Sequence, residues 1–299
     1  MVDTPDTNMT ETHTDLTQRF IFETADIRGE FVNLSQTLSE TCRPHAYAPG
    51  VRKLLGEMLS ATALLTATLK FEGKLILQAR GDGQIPLIMA ESTHDRKLRA
   101  IARGAEHATS ENFSELLANG QLAITIDPHQ GKRYQGIVSL QSDSLASSLD
   151  SYFEQSEQLG TRLWLASDGE RTAGLLLQQL PATINKDEAS RADQWVNATT
   201  LAETLTAEEL LALDADVLLH RLYHEEEVRL FDPSPAQFEC SCSRERSFNA
   251  LASLPKNDLE SLLEEQDHIT IDCEFCTVQY RFSEADLSEL LTHARPTQH

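Results

Sequence analysis

Four of the chain's five cysteines lie in two close pairs near its C-terminal end. One residue separates Cys240 from Cys242, two separate Cys273 from Cys276, and thirty residues lie between the pairs. Two such pairs around a small subdomain typically hold one tetrahedral metal ion, usually zinc, through four thiolates. The usual zinc pattern repeats C-x2-C, however, and a C-x-C pair can also close as a disulfide where its α-carbons come within about 4.4–6.8 Å. The spacing therefore predicts a metal site on these four sulfurs, with disulfides as a second chemistry of the same atoms.

Charge and hydropathy limit the partners and the compartment. The 299 residues carry 47 acidic and 25 basic side chains, a net charge of −22. Such a chain repels phosphate backbones and anionic lipid, so neither nucleic acid nor a membrane is expected as its partner. No apolar run reaches the roughly 18 residues of a membrane span, and the first residues are polar and acidic, so we expect a cytoplasmic protein. In that reducing compartment, clustered cysteines are more often metal-bound or redox-sensing than structural disulfides.

The periodicity of apolar residues predicts an α+β fold that positions these cysteines at the end of the chain. Residues 1–18 are expected to be a disordered tail. An N-terminal mixed sheet domain is expected at 19–185, an acidic helical linker at 186–235 and a zinc-binding domain at 236–299. The first domain is predicted to contain strands from Arg19 and at 75–80, 85–89, 122–126, 134–140, 162–166 and 173–180, and helices at 51–69, 113–119 and 144–157.

The predicted linker combines acidity with a leucine pattern. Residues 187–232 contain 12 acids and 3 bases, and leucines recur at helical spacing after a capping box of Thr206 and Glu209. Amphipathic helices of this kind must lie on an apolar surface. Their self-repulsion makes them marginal once that support is lost, although a plain helical linker is an equally open interpretation.

The cysteine-containing domain has few apolar residues of its own. Two short helices are predicted between the cysteine pairs, and two alternating strands at 269–271 and 278–282 place Cys273 and Cys276 at the turn between them. Ser283 with Asp286 is predicted to cap a last helix. A unit of this size rarely gains more than about 3–5 kcal/mol from its core, whereas structural zinc contributes about 10–16 kcal/mol at neutral pH. We therefore expect one zinc ion per chain and a domain that folds only with it.

The sequence shows no signature of an enzyme. The motifs Gly-x-Ser-x-Gly, His-Glu-x-x-His and Gly-x-x-x-x-Gly-Lys are absent, and the ten histidines are scattered. Strand patterns flank the C-x-x-C pair, whereas a thiol–disulfide oxidoreductase places its pair at the start of a helix. A static zinc-binding interaction or adaptor module is the main alternative function, and an oxidoreductase is the weaker one.

Three features favour a redox switch over a static site. The C-x-C half is unusual for a structural site, and acidic helices lie directly upstream. Arg244, Glu245 and Arg246 place cationic charge beside Cys242, which favours its thiolate. Oxidation to disulfides removes the charge that holds zinc. The expected disulfides join neighbours, Cys240 to Cys242 and Cys273 to Cys276. The helices would then lose their support and expose leucine faces that bind unfolded polypeptide, as a holdase does.

These residues resemble the redox-regulated 33 kDa heat-shock chaperonin family of bacteria, a family of redox-switched holdases. The resemblance extends from about residue 19 to about residue 292. It is carried by Cys-Ser-Cys-Ser-Arg-Glu-Arg at 240–246 with the later C-x-x-C, Arg-Leu-Tyr-His-Glu-Glu-Glu-Val at 221–228, Arg-Tyr-Gln-Gly at 133–136, Glu-Gln-Leu at 157–159 with Thr-Arg-Leu at 161–163, and Leu-Leu-Thr-Ala-Thr-Leu-Lys-Phe at 64–71.

The resemblance implies an ATP-independent holdase that is inactive while reduced and zinc-bound. It implies activation by oxidative stress together with unfolding, homodimerisation on activation, binding of unfolded client proteins, and their release to ATP-dependent refolding chaperones. Cys240, Cys242, Cys273 and Cys276 correspond one for one to the family's metal cysteines. Cys42 matches no part of the motif and is interpreted as an incidental free thiol.

Overall fold

A computed structural model describes residues 15–70, 72–156 and 160–292, with the backbone alone at Glu289. The described residues leave out most of the predicted tail and residue 157 of the helix predicted at 144–157. They also leave out residues 71 and 157–159, which belong to the motifs that resemble the family. The tail prediction is wrong for its last residues. Leu16 pairs with Asn33 on one side and with Pro235 on the other, because the first strand of the fold begins there.

The strands form two sheets and a separate hairpin. In chain order they are β1 (Leu16–Phe22), β2 (Ile27–Leu34), β3 (Gly73–Arg80), β4 (Leu87–Thr93), β5 (Lys97–Arg103), β6 (Gln121–Pro128), β7 (Tyr134–Ser139), β8 (Thr161–Ser167), β9 (Thr172–Gln179), β10 (Val228–Leu230), β11 (Ser234–Pro235), β12 (Gln237–Phe238), β13 (His268–Asp272) and β14 (Gln279–Ser283). The first sheet has the order β10-β1-β2-β9-β8, with β11 also paired to β1. The second has the order β12-β5-β4-β3-β6-β7, and β13 pairs with β14.

The helices occur singly between strands and then consecutively. They are α1 (Gln36–Cys42), α2 (Pro49–Ala67), α3 (Phe113–Leu116), α4 (Leu145–Ser156), α5 (Glu188–Ala202), α6 (Ala207–Ala212), α7 (Ala215–Tyr223), α8 (Arg244–Leu251), α9 (Lys256–Glu265) and α10 (Ser288–Thr292). Among these, no helix has both the length and the apolar character needed to cross a bilayer. The α+β fold class expected from the sequence is confirmed.

The main core is built around α2. Pro49 occupies the first turn, where its missing N–H costs nothing, and α2 packs against strands of both sheets. Its buried residues include Leu55, Met58, Leu59 and Leu64, all at 0 % exposure. Because both sides of the helix are covered, its apolar residues are not confined to a single stripe.

The structure divides into two compact units between Phe238 and Glu239. The predicted linker is not separate from the first unit, since α5, α6 and α7 cover one face of the first sheet. Nor is it helical throughout, because residues 228–230 and 234–235 form β10 and β11 on the edge of that sheet. The boundary also lies beyond the predicted residue 235, since Gln237 and Phe238 pair with β5.

The second unit is small. Its core contains five buried side chains, Leu251, Leu259, Ile269, Phe282 and Leu287, from α8, α9, the hairpin and the turn before α10. The reciprocal bonds predicted for Ser283 and Asp286 are present, but regular helix begins only at Ser288. This core joins the elements that carry the two cysteine pairs.

Candidate metal centre

The first cysteine pair lies in the extended segment that precedes α8. Ser243 begins this helix, because its hydroxyl oxygen accepts a hydrogen bond from the Arg246 amide at 3.1 Å. Nη1 of Arg246 donates to both the carbonyl and the hydroxyl oxygen of Ser241, each at 2.7 Å. The first turn of α8 thus holds the residue between Cys240 and Cys242.

The second pair lies at the turn between β13 and β14, as predicted. The Cys273 amide donates to the Val278 carbonyl at 2.9 Å, and the Thr277 amide donates to the Cys273 carbonyl at 2.7 Å. Thr277 has a φ of 56°, in the left-handed region that β-branched residues rarely adopt. These bonds fold the chain back sharply enough for Cys273 and Cys276 to contribute to one cluster.

The four sulfurs converge. All lie within 4.8 Å of one another, with 3.6 Å between Sγ of Cys240 and Cys273 and 3.4 Å between Sγ of Cys242 and Cys276. Four thiolates bound tetrahedrally at about 2.3 Å would lie about 3.8 Å apart, so the observed spacing suits one ion. Within the described residues, no other group of three or more possible ligands is so close. These four cysteines can therefore hold a metal ion, and an all-sulfur donor set suits a thiolate-preferring metal such as zinc.

The electrostatics of the cluster favour a cation. Burial raises the pKa of the Cys276 thiol well above its ordinary value, and contacts with the sulfurs of Cys242, Cys240 and Cys273 raise it further. The Tyr280 hydroxyl donates to Sγ of Cys242 at 3.1 Å, which raises the pKa of the tyrosine to about 12. Four gathered thiolates repel one another, and a bound divalent ion offsets that repulsion.

The basic residues near Cys242 have other partners than those expected. The Arg244 guanidinium stacks on the Phe282 ring at 4.4 Å, pairs with Asp286 at 2.9 Å and donates to the Arg281 carbonyl at 2.5 Å. Arg246 binds Ser241, as described above. The sequence indicated that these cations favour the Cys242 thiolate, whereas the structure gives them bonds that stabilise the fold around the cysteines.

Comparison with known proteins agrees with this architecture. The family model described as "Hsp33 protein" matches residues 15–283. The chain belongs to the Hsp33 family. It is 53% identical over 285 residues to the 33 kDa chaperonin of Pseudomonas paraeruginosa, covering 94% of this chain and 96% of that protein. The 33 kDa chaperonin of Azotobacter vinelandii is 52% identical over 279 residues, covering 92% and 94%.

A solved structure has the same fold. The crystal structure of the 33 kDa chaperonin, a heat shock protein 33 homologue, from Thermotoga maritima superposes with a TM-score of 0.79 over 94% of this chain and 98% of that one. Their sequences are 23% identical, so this likeness bears on the fold alone. The family and the relatives make this chain a chaperone with a four-cysteine cluster of the kind a redox-regulated chaperone uses. A chaperone of this family binds unfolded client proteins.

The fifth cysteine of this Hsp33-family chain belongs to the first unit and is not one of the four in the cluster. Cys42 ends α1 and is only 2 % exposed. Burial raises its pKa to about 11, although Arg52 acts in the opposite direction. Both properties disfavour a reactive thiolate.

The sequence did not single out the surface that α5–α7 cover. Strands β1, β2 and β9 present Phe20, Phe22, Phe31, Leu175 and Leu177 on one face, each at most 3 % exposed. The ring of Phe20 lies across Gly29, where an added Cβ would come within 2.0 Å of it. Side chains at 0 to 8 % exposure from the three helices complete this second core: Ala198, Ala202, Leu210, Leu211, Ala215, Leu218, Leu219, Leu222 and Tyr223.

We call this surface the covered face: the side of the first sheet under α5–α7. In β1, Phe20 and Phe22 lie on the same face, but Ile21 between them is also apolar, so the sequence of this strand gives only a weak alternation. Strand β9 gives none, because both of its faces are buried and its run of leucines does not alternate.

Proposed function

We propose that this chain is an ATP-independent holdase that is inactive when Cys240, Cys242, Cys273 and Cys276 are reduced and hold one zinc ion. Oxidation of these cysteines activates it, and it then protects unfolding proteins from aggregation under oxidative and heat stress. The convergence of the four sulfurs within 4.8 Å in a small unit carries this proposal. When bound, zinc supplies a divalent charge that keeps four thiolates together and the unit folded.

The chemistry of activation belongs to the cysteines. A thiolate attacks hydrogen peroxide and becomes a sulfenic acid, with release of hydroxide. A neighbouring thiol displaces water from the sulfenic acid and forms a disulfide. Each disulfide thus consumes one peroxide, which takes two electrons from the two sulfurs. One thiolate and one thiol give one disulfide, one water and one hydroxide, and the hydroxide takes a proton from the solvent to become a second water. Two disulfides leave no thiolate in the donor set.

We propose that the disulfides join neighbours in sequence, Cys240 to Cys242 and Cys273 to Cys276. In the reduced fold, sulfurs of opposite pairs are also in contact, at 3.4 and 3.6 Å, so proximity alone does not select these partners. Once the unit loosens, however, only sequence neighbours stay close, because the closure of a short loop loses less entropy than the closure of one of more than thirty residues.

We propose that unfolding of the second unit affects α5–α7 through the covalent connection between them. A single residue, Glu239, separates Cys240 from the end of β12. Strands β12, β11 and β10 contain two, two and three residues, and they hold the segment after α7 to the first unit. We propose that fraying of these short strands frees α5–α7 and uncovers the covered face, which then binds unfolded clients together with the leucine faces of the helices.

The other parts of the proposal are based on the family and on the net charge of the chain. We propose cytoplasmic residence, homodimerisation on oxidation and release of clients to ATP-dependent refolding chaperones. No catalytic reaction, nucleic acid or membrane has a part in this function. A net charge of −22 keeps the chain soluble while apolar surface is exposed, and it repels polyanions.

The test compares reduced, zinc-loaded protein with protein treated with peroxide at raised temperature. We expect release of one zinc per chain, loss of four thiols, and suppression of the aggregation of a chemically denatured enzyme by the oxidised form only. A Cys42→Ser variant is the matched control, since it lowers the thiol count by one without changing activation. Equal suppression by the reduced and oxidised proteins would refute the switch. Retention of zinc under peroxide would instead support a static adaptor module.

A further inference from the structure

A buried carboxylate fastens the segment before α5 to the turn between β1 and β2. Asp26, in that turn, is 5 % exposed. Its carboxylate oxygens accept hydrogen bonds from the consecutive amides of Thr183, Ile184 and Asn185 at 2.9–3.2 Å. Its main-chain carbonyl accepts a further bond from the Leu180 amide at 2.8 Å. Four main-chain amides of the chain that leads from β9 into the helices over the covered face therefore bond to this one residue.

Arg191, in the first turns of α5, completes the arrangement. Its Nε lies 3.6 Å from Oδ2 of Asp26, and Nη2 donates to the Leu180 carbonyl at 2.7 Å. Nε is buried and has no hydrogen-bond partner within the described part of the chain. The carboxylate of Asp26 therefore supplies the negative charge that balances the guanidinium at Nε. Loss of that negative charge would leave a buried cation without a counter-ion.

Asp26 is ionised at neutral pH. Desolvation acts to raise its pKa, but the three amides and Arg191 together hold it below the ordinary value of 3.8. Hydrogen bonds to an ionised acceptor are stronger than bonds between neutral groups. The contact therefore persists at neutral pH.

We propose that Asp26 is a positioning residue of the switch, which latches the N-terminal end of α5–α7 onto the first sheet and so sets the oxidative threshold at which these helices leave it. The inference rests on the proposed function. The C-terminal end of the helices is held by the short strand β10 and leads to the cysteines. Fraying from that end leaves the Asp26 contacts intact, so α5 stays docked until the latch also opens.

The chain provides a matched control in Asp15. This residue is 6 % exposed, and its carboxylate accepts from the consecutive amides of Ser35, Gln36 and Thr37 at 2.6–3.0 Å. The two aspartates thus make the same kind of three-amide contact. Asp15 holds the start of α1, however, which takes no part in covering the apolar face. Its main-chain carbonyl also accepts from the Ala236 amide at 3.0 Å, between β11 and β12, so Asp15→Asn is a control for exchange at residues 183–202 and not for the peroxide threshold.

The experiment measures hydrogen–deuterium exchange of the full-length, reduced, zinc-loaded protein with Asp26→Asn and with Asp15→Asn. Asparagine has nearly the same shape as aspartate but carries no charge. One carboxylate oxygen is replaced by an NH2 group, which is a donor and cannot accept from the backbone amides. We expect exchange over residues 183–202 to rise at least about tenfold in Asp26→Asn, and to remain at the wild-type rate there in Asp15→Asn. Arg191→Gln is a second variant, which loosens the same segment with Asp26 unchanged and serves if Asp26→Asn does not fold.

The second readout is the peroxide concentration that gives half-maximal suppression of aggregation. We expect a several-fold lower concentration for Asp26→Asn and Arg191→Gln. We expect the wild-type value for Leu77→Ala, which destabilises the separate core around α2. Wild-type exchange at 183–202 in both Asp26→Asn and Arg191→Gln overturns the latch, whatever the chaperone assay shows. Faster exchange without a shift in threshold overturns its regulatory role. Failure of the wild-type protein to respond to peroxide refutes the proposed function instead, and the exchange arm still decides the latch.

Discussion

Truncation of one leucine under the helices tests whether the covered face is the regulated surface. Leu218 lies in α7, is completely buried and belongs to the core between the helices and the first sheet. A buried Leu→Ala change costs about 2–5 kcal/mol, depending on how far the site collapses. Helix α7 has only nine residues, so its stability comes from this packing rather than from its own propensity.

The expected size of the effect follows from local opening. If α5–α7 open together as one unit, a loss of about 3 kcal/mol raises the population of the open form about 150-fold, at about 1.4 kcal/mol for each factor of ten. We therefore expect reduced, zinc-loaded Leu218→Ala to suppress aggregation of a denatured enzyme without oxidant. Amides of α5–α7 should exchange faster, while those of the second sheet remain protected.

Leu77→Ala is the matched control for this variant. Leu77 lies in β3, is equally buried, and belongs to the core around α2 rather than to the covered face. The same number of methyl and methylene groups is removed, so a similar loss of melting temperature is expected. If the two variants have the same activity in the reduced state, whether high or absent, exposure of the covered face is not what activates the chaperone.

Four further changes test other parts of the structure. Cys273→Ser should lower the zinc content below one per chain and abolish the chemical-shift dispersion of β13 and β14 in NMR spectra while that of the first unit is kept. Thr277→Gly should stabilise the zinc-loaded second unit by about 0.5–1 kcal/mol in thermal unfolding, because glycine adopts the φ of 56° without steric strain. Burial raises the pKa of Glu57 to about 7, so its contribution to stability is complete below its ordinary value of 4.5 and is lost as the pH rises through 7. Denaturant titrations should show that the free energy of unfolding falls by about 1–2 kcal/mol between pH 5 and pH 8 in the wild type and does not fall in this way in Glu57→Gln. This value is smaller than the full pKa shift implies, because the side chain of Glu57 is partly exposed to solvent. Tyr223→Phe removes the hydroxyl that donates to the Ala198 carbonyl at 3.0 Å, and should destabilise the packing of α7 on α5 by about 1 kcal/mol in the same titrations.

The elements that the sequence predicted well are apolar runs with glycine or proline at one end. The helix predicted at 51–69 is α2, and the strands predicted at 122–126 and 173–180 are β6 and β9. Strands β2 and β5 were missed. In β2, the six buried residues from Gly29 to Leu34 include Glu30 and Asn33, so neither an apolar run nor an alternation marks it as a strand. The first helix was missed because Gln36–Cys42 is short and polar, and its amides are satisfied by the distant Asp15.

The convergence of the four cysteines was predictable because they lie in two short motifs, each placed by local structure. The covered face was not, because it is assembled from strands that are neighbours only in the folded sheet. Strand β1 pairs with β2, and β2 pairs with β9, more than 130 residues further along the chain. The Asp26 contact was equally unpredictable, because the amides that it binds lie 157 or more residues further along the chain. A lone aspartate in a turn carries no periodic signal, and only tertiary structure gives it three amides.

Under the proposed function, the arrangement of these contacts links oxidation of the cysteines to the covered face of the first sheet. The same strand, β1, supplies Phe20 and Phe22 to the covered face and pairs with β10 through its edge. Pairing of only three residues adds little stability by itself, so β10 depends on the order of the chain on both of its sides. Under the proposed function, disorder that begins at Cys240 removes that order on one side, and the contacts of Asp26 then remain as the specific restraint at the other end. A threshold is then expected, because helices that are restrained at both ends, as well as by their packing on the sheet, uncover it only when all of these contacts have opened.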